Sequence, residues 1–178
     1  MNEKEQKQVK MHADFFDRCK EAIQNEFYFE AVLMEYAAIE ARLESICGVV
    51  GLPCGKDCPY RRDIKISSRI SCLRSYCNKN PDIIHNSKLP SNFFSDHGEL
   101  RTWIRQRDIC VHGLFKDEVK YSDRIEANKD LATAGYEYAR LLYNEAKRLR
   151  RIPKNHPEQF DKAVAVCKNK KCKAYHAI

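Results

Sequence analysis

A stripe of apolar residues stepping alternately by three and four positions constrains this chain more than any other feature. Between Asn25 and Val50, the residues Phe29, Val32, Tyr36, Ile39, Leu43, Ile46 and Val50 follow one another in that rhythm. A period near 3.6 places all of them on one side of an α-helix, whereas a half-buried strand needs strict alternation. The same steps link Val9, His12, Phe16, Cys19 and Ile23 upstream, so two long helices follow each other closely. Asn25 is placed to cap the second, and Gly48, Gly51 and Pro53 to end it.

Further on, Ile66, Ile70, Leu73 and Cys77 predict a third helix that ends ahead of Asn78 to Pro81. A long polar connection then runs from Asn78 to Asp96, with the pairs Ile83-Ile84 and Phe93-Phe94 as its apolar anchors. Asp96 and Glu99 have the spacing of a capping box, so a fourth helix is expected to start there, with the seam Leu100, Trp103, Arg107, Cys110 and Leu114. A fifth, from about Asp123 to Arg150, carries Leu131, Gly135, Tyr138, Leu142 and Leu149 before Pro153 stops it. The expected architecture is all-α: an up-and-down bundle of four to five helices, with a long loop before the fourth helix and a basic C-terminal tail. Residues 1–152 form the bundle and 153–178 the tail, with one short helix around Phe160 to Cys167.

Charge divides the chain in the same place. From Lys147 onward, ten Lys and Arg stand against Glu158 and Asp161, a balance of +8 that leaves −1 for residues 1–146 of the net +7. A basic appendage on a neutral body suits a polyanion such as RNA. No window approaches the roughly 18 consecutive apolar residues of a membrane span, and the polar start, Met1 to Gln8, lacks a signal peptide's apolar stretch. A cytoplasmic protein without a membrane partner is therefore expected. Its nine cysteines then read as reduced thiols, metal ligands or both, because cytosolic thiols are kept reduced and an odd number cannot fully pair.

One seam position breaks the apolar pattern, and it is an arginine. In Trp103-Ile104-Arg105-Gln106-Arg107-Asp108-Ile109-Cys110-Val111-His112-Gly113, Asp108 and His112 lie one helical turn apart, and Arg107 sits about 100° round from Asp108. A cation, a carboxylate and an imidazole so grouped suit phosphodiester cleavage without a metal. Imidazole exchanges protons near neutral pH, a carboxylate can hold its ring, and guanidinium offers a planar fork to a phosphate whose charge grows in the transition state. RNA brings its own nucleophile, the ribose 2′-hydroxyl.

The run Arg107-Asp108-Ile109-Cys110-Val111-His112 resembles the R-x4-6-H motif of the HEPN superfamily, which carries a polar residue directly after the Arg. HEPN domains are all-α bundles, many of them endoribonucleases of toxin-antitoxin, CRISPR and other defence systems. The resemblance implies a homodimer whose two motifs share one cleft, and metal-independent cleavage to a 2′,3′-cyclic phosphate and a 5′-hydroxyl. It implies that Arg107 binds phosphate, that His112 is the acid/base, and that Asp108 orients them. An antitoxin or regulatory protein, often nucleotidyltransferase-like in such systems, is the further partner it suggests. Arg105, Arg148, Arg150, Arg151 and Lys154 are expected to hold RNA electrostatically.

Three competing readings have residues of their own. Arg107 could be neutralised by Glu35 or Glu40 of the second helix while His112 caps the fourth, which leaves a non-catalytic RNA- or protein-binding module. Cys54, Cys58, Cys72 and Cys77 could hold structural zinc in a helical adaptor, but their C-x3-C and C-x4-C spacings are not paired knuckles, so free thiols and no cofactor are preferred. Cys167, Cys172, His176 and His156 raise the same question in the tail, where a solvated basic end is preferred. His12 reads as a satisfied core histidine.

Overall fold

The computed structural model describes residues 3–50, 65–79, 89–113 and 121–151. Among these there are five helices and no strand: α1 (Glu3–Gln24), α2 (Tyr28–Val49), α3 (Ile66–Lys79), α4 (Glu99–Gly113) and α5 (Tyr121–Leu149). The protein is thus an all-α helical bundle, as the spacing of its apolar residues predicts. No helix among the described residues is long and apolar enough to cross a membrane. Gly51, Pro53, Cys54, Cys58, Ile83-Ile84, Leu114, Lys154 and the rest of the tail, where one short helix is expected from sequence, lie outside the described residues.

The helix ends differ from expectation in two places. Asn25 does not cap α2. The backbone N–H groups of Glu26 and Phe27 donate to the carbonyls of Ile23 and Ala22 at 3.2 and 2.8 Å, and Glu26 adopts a left-handed φ of 63°. Together these bonds form a Schellman closure of α1, built on a glutamate where glycine is usual. The Asn25 side chain turns back as well, donating from Nδ2 to the Glu21 carbonyl at 2.9 Å. The first turn of α2 instead hangs on the Phe27 carbonyl, which accepts from Ala31 N–H at 3.0 Å.

Similarly, Asp96 forms no capping box. α4 begins at Glu99, and Thr102 N–H donates to the Gly98 carbonyl at 3.0 Å. Asp96 instead pairs with Arg74 of α3 and, at 3.5 Å, with Arg101. Two guanidinium groups draw the carboxylate away from the helix end, where a single backbone N–H offers less. Only glycine fits at 98, because a Cβ there would overlap the Asn92 carbonyl.

The chain divides into two compact units, residues 1–37 with 103–138 and residues 38–102 with 139–178. The first buries Cys19 of α1, Tyr28, Ala31 and Val32 of α2, Trp103 of α4, and Leu131 and Ala132 of α5. Phe16 packs edge-on against Tyr136, ring centroids 5.8 Å apart. The Trp103 indole N–H, which burial would otherwise leave without a partner, donates to the Leu131 carbonyl at 2.7 Å.

In the second unit the core is Ile39, Leu43 and Ile46 of α2 with Val50 just beyond it, Ile66, Ile70, Leu73 and Tyr76 of α3, Phe93, Phe94 and Leu100, and Ala139, Leu142, Ala146 and Leu149 of α5. The two phenylalanines expected to anchor the long connection do so, both buried and edge-to-face at 5.3 Å. A buried arginine, Arg69, lies within this core. Its guanidinium meets Glu40 at 3.2 Å and Glu44 at 3.5 Å, carboxylates one turn apart on α2.

Candidate functional site

Arg107, Asp108 and His112 all belong to α4 and to the first unit. The seam that holds them is apolar at its start, where Leu100 and Trp103 are fully buried, and opens towards its end. Arg107 occupies the transition: its side chain is 17% exposed. Its guanidinium carbon lies 3.9 Å from the centroid of the Tyr36 ring on α2, a cation–π stack that accommodates a charge on a half-buried seam. One nitrogen is engaged, Nη1, which donates to Asp108 Oδ1 at 3.0 Å. The Nε donor is buried and has no hydrogen-bond partner.

The acids proposed to neutralise this arginine are occupied elsewhere or leave it alone. Glu40 pairs with Arg69. Glu35 accepts no hydrogen bond at either carboxylate oxygen, although it is fully buried. Asp108, half exposed, turns to its neighbour Arg107, and no hydrogen bond joins it to His112, which is exposed. The structure therefore brings Arg107 and Asp108 together and leaves the imidazole open to solvent. Arg105, Asp108, Ile109 and His112 share the outer face of α4, and Ile109 is 72% exposed there. On the inner side, Cys110 donates from Sγ to Asn128 Oδ1 of α5 at 3.0 Å, and burial raises its pKa.

Glu35 is the residue that the sequence pattern underrates. The apolar stripe of α2 passes through Tyr36, yet at that turn it is Glu35 that is wholly enclosed and Tyr36 that is half-buried beneath Arg107. Burial raises the Glu35 carboxyl to about 9, so it is protonated at neutral pH. The neighbouring Cys19 thiol is pushed up to about 12, mainly by its own burial and further by Glu35. Gly135 of α5 makes the space: a Cβ there would overlap Glu35 Oε2 and stand 2.6 Å from the Trp103 ring. That glycine in a helical seam was the available signal of close approach.

The residues expected to hold RNA fare unevenly. Arg105 and Arg151 are exposed. Arg150 donates to Ser45 Oγ at 2.6 Å. Arg148 donates from Nε and Nη2 to the two oxygens of buried Glu145, at 2.9 and 2.6 Å, so its charge is matched within its own helix. Lys154 lies outside the described residues. Of the proposed zinc ligands, Cys72 is buried and Cys77 half-buried, Cys54 and Cys58 lie outside the described residues, and no group of three or more metal-ligating side chains occurs among the described residues. His12 is half-buried and is not without a partner.

No family model matches the sequence, and neither a curated protein nor a solved structure is found similar to it.

Proposed function

We propose that this chain is a metal-independent endoribonuclease of the HEPN type, toxin- or defence-like, acting in the cytoplasm as a homodimer. The observation that carries the reading is the contrast between two seam arginines. Arg69 is met by two carboxylates of the opposing helix, whereas Arg107 rests on an aromatic ring with only Nη1 hydrogen-bonded, and that to its own neighbour. A guanidinium held rigidly and left short of anionic partners is suited to receive a phosphate.

In this mechanism Arg107 grips the scissile phosphate, and Asp108 and Tyr36 fix the direction in which it points. One imidazole removes the proton of the 2′-hydroxyl, whose oxygen then attacks the adjacent phosphorus. The second protomer's His112 would protonate the departing 5′-oxygen, yielding a 2′,3′-cyclic phosphate and a 5′-hydroxyl. Ile109, apolar and exposed between the polar residues of this face, supports a second copy seated there, since burying it gains what leaving it in water forfeits. The basic tail would hold RNA by charge. An antitoxin or other regulatory protein is the restraint such an activity requires.

Purified dimeric protein is expected to cut RNA in the presence of EDTA and to leave cyclic-phosphate ends. His112→Ala is expected to lower the rate by about 10²- to 10⁴-fold, the usual contribution of a general acid or base. RNA surviving intact with dimeric protein, or H112A cutting as fast as the parent, refutes the proposal.

One observation favours a second reading, a non-catalytic RNA-binding module: Asp108 engages Arg107 and leaves His112 without the carboxylate that would orient it. Under that reading, deletion of residues 154–178 abolishes RNA binding and no variant cuts. Under the first, cutting largely persists after the deletion.

A further inference from the structure

A cavity of about 210 Å³ opens within the second unit, apart from the arginine and histidine of α4. Its apolar walls include Ile46 of α2 and Val50 just beyond it, Leu73 and Tyr76 of α3, Phe94, and Leu149 of α5. Two rings and four branched aliphatic side chains make a lining suited to a flat apolar body. An apolar cavity of roughly 150 Å³ already admits benzene, so this one has room for a fused two-ring aromatic.

Its polar groups narrow the choice. Glu145 reaches the lining although its side chain is only 8% exposed, and Arg148 holds both carboxylate oxygens in a two-pronged ion pair. Each oxygen keeps a lone pair, so the wall can accept a hydrogen bond. Cys77 stands beside it as a neutral thiol: burial pushes it up to about 12, and the Glu145 carboxylate adds to the effect. Arg74, the lining's only cation, is committed to Asp96. Asn78, Ser91 and Ser95 add neutral amide and hydroxyl groups, so the cavity offers a charged acceptor to a donor and no unmatched positive charge to an anion.

We infer that this cavity is a binding site for a small, flat, uncharged aromatic molecule that carries an N–H donor, its ring between Tyr76 and Phe94 and its N–H on Glu145. The inference is independent of the ribonuclease reading, because it concerns different residues of a different unit. A void left by imperfect packing would ordinarily be lined by apolar atoms alone, whereas this wall carries a carboxylate that keeps acceptor capacity beyond its ion pair with Arg148.

Three flat, ring-bearing probes test it: indole, indene, which has the same fused rings without the N–H, and benzoate, a smaller anion. Binding is read from the melting temperature of the full chain and from the rate at which iodoacetamide alkylates Cys77, followed by mass spectrometry of its peptide. Indole is expected to raise the melting temperature saturably and to slow Cys77 alkylation. Indene should bind at least tenfold more weakly, the loss expected when a hydrogen bond to a charged group is missing, and benzoate should have no effect. Leu73→Phe, which fills the space, should abolish the indole response while keeping the parent's helical circular dichroism. The alkylation arm needs no variant and decides the matter if L73F fails to fold. No saturable indole effect on either readout, or indene or benzoate binding as tightly as indole, overturns the assignment.

Discussion

Glu35 gives this fold a pH-dependent contribution to stability that follows from its surroundings. The carboxyl is fully buried among Cys19, Gly135 and Trp103, without a hydrogen bond to either oxygen. Its proton is held to about pH 9 in the folded chain, against 4.5 for an ordinary glutamate. Between those values the native state binds a proton that the unfolded chain has released, so stability falls as pH rises, approaching 1.36 kcal/mol per pH unit. From pH 5 to pH 7 the loss attributable to Glu35 comes to about 2.5 kcal/mol. It is absent below pH 4 and complete above pH 9.

Glu35→Gln keeps the shape and removes the titration. The amide is also buried, but its burial is the same at every pH, so the difference between variant and parent isolates the carboxyl. Relative to the parent, E35Q should therefore gain about 2.5 kcal/mol between pH 5 and pH 7. In a chain of this length that corresponds to a relative rise of about 5–10 °C in melting temperature. Urea unfolding followed by fluorescence is the assay, because the single tryptophan, Trp103, lies against the same Gly135 notch and reports the state of that unit. Asp96, drawn down by Arg74, acts with the opposite sign, gaining stability as pH rises from the acid side, and is common to both proteins. The Cys19 thiol titrates only above this window. Parallel stability curves for E35Q and parent from pH 5 to pH 8 would refute the claim that the carboxyl folds in as the neutral acid.

Other consequences follow from single contacts. Gly135→Ala places a methyl group into Glu35 and the Trp103 ring and is expected to cost about 1–3 kcal/mol by overpacking, read by the same fluorescence. If it melts like the parent, the close approach is wrong. Glu26→Gly relieves the left-handed residue that closes α1 and should stabilise by about 0.5–1 kcal/mol, seen as a higher urea midpoint at unchanged slope; a lower midpoint rejects it. In the second unit, removing two acids that face Arg69, by Glu40→Gln with Glu44→Gln, should cost about 3 kcal/mol, because a buried guanidinium loses both of these carboxylates. Arg69→Met should cost clearly less, and equal losses would show that the ion pair itself supplies the stability.

The helices were legible because their apolar spacing records a burial that nothing local opposes. Val32, Ile39, Leu43, Ile46 and Val50 of the α2 stripe are all buried. The ends were less legible, for a reason that Asn25 and Asp96 share. Each is a good cap by residue type, and each found a stronger bond elsewhere: Asn25 back onto the Glu21 carbonyl, Asp96 onto two arginines that arrive from α3 and α4. Local preference predicts a cap only when no tertiary partner competes for the same oxygen.

The site shows the same limit from the other side. A lone polar residue on an apolar seam is visible in sequence, and Arg107 was found that way; what meets it is not visible. Arg69 also faces a core, more deeply than Arg107, but it stands outside the Ile66-Ile70-Leu73 stripe, and two acids that meet it lie on another helix, 25 and 29 positions away. Tyr36 and Glu35 were exchanged for a related reason. A seven-residue stripe fits the helix with either of two adjacent residues pointing inward, and the choice is made by the partner surface, here the notch at Gly135. Once Glu35 fills that notch, Tyr36 is left at the edge of the core, where its ring can lie against a guanidinium. The glycine on α5 thus positions the arginine on α4 through two neighbouring residues of α2, a chain of steric consequences that no single segment of the sequence contains.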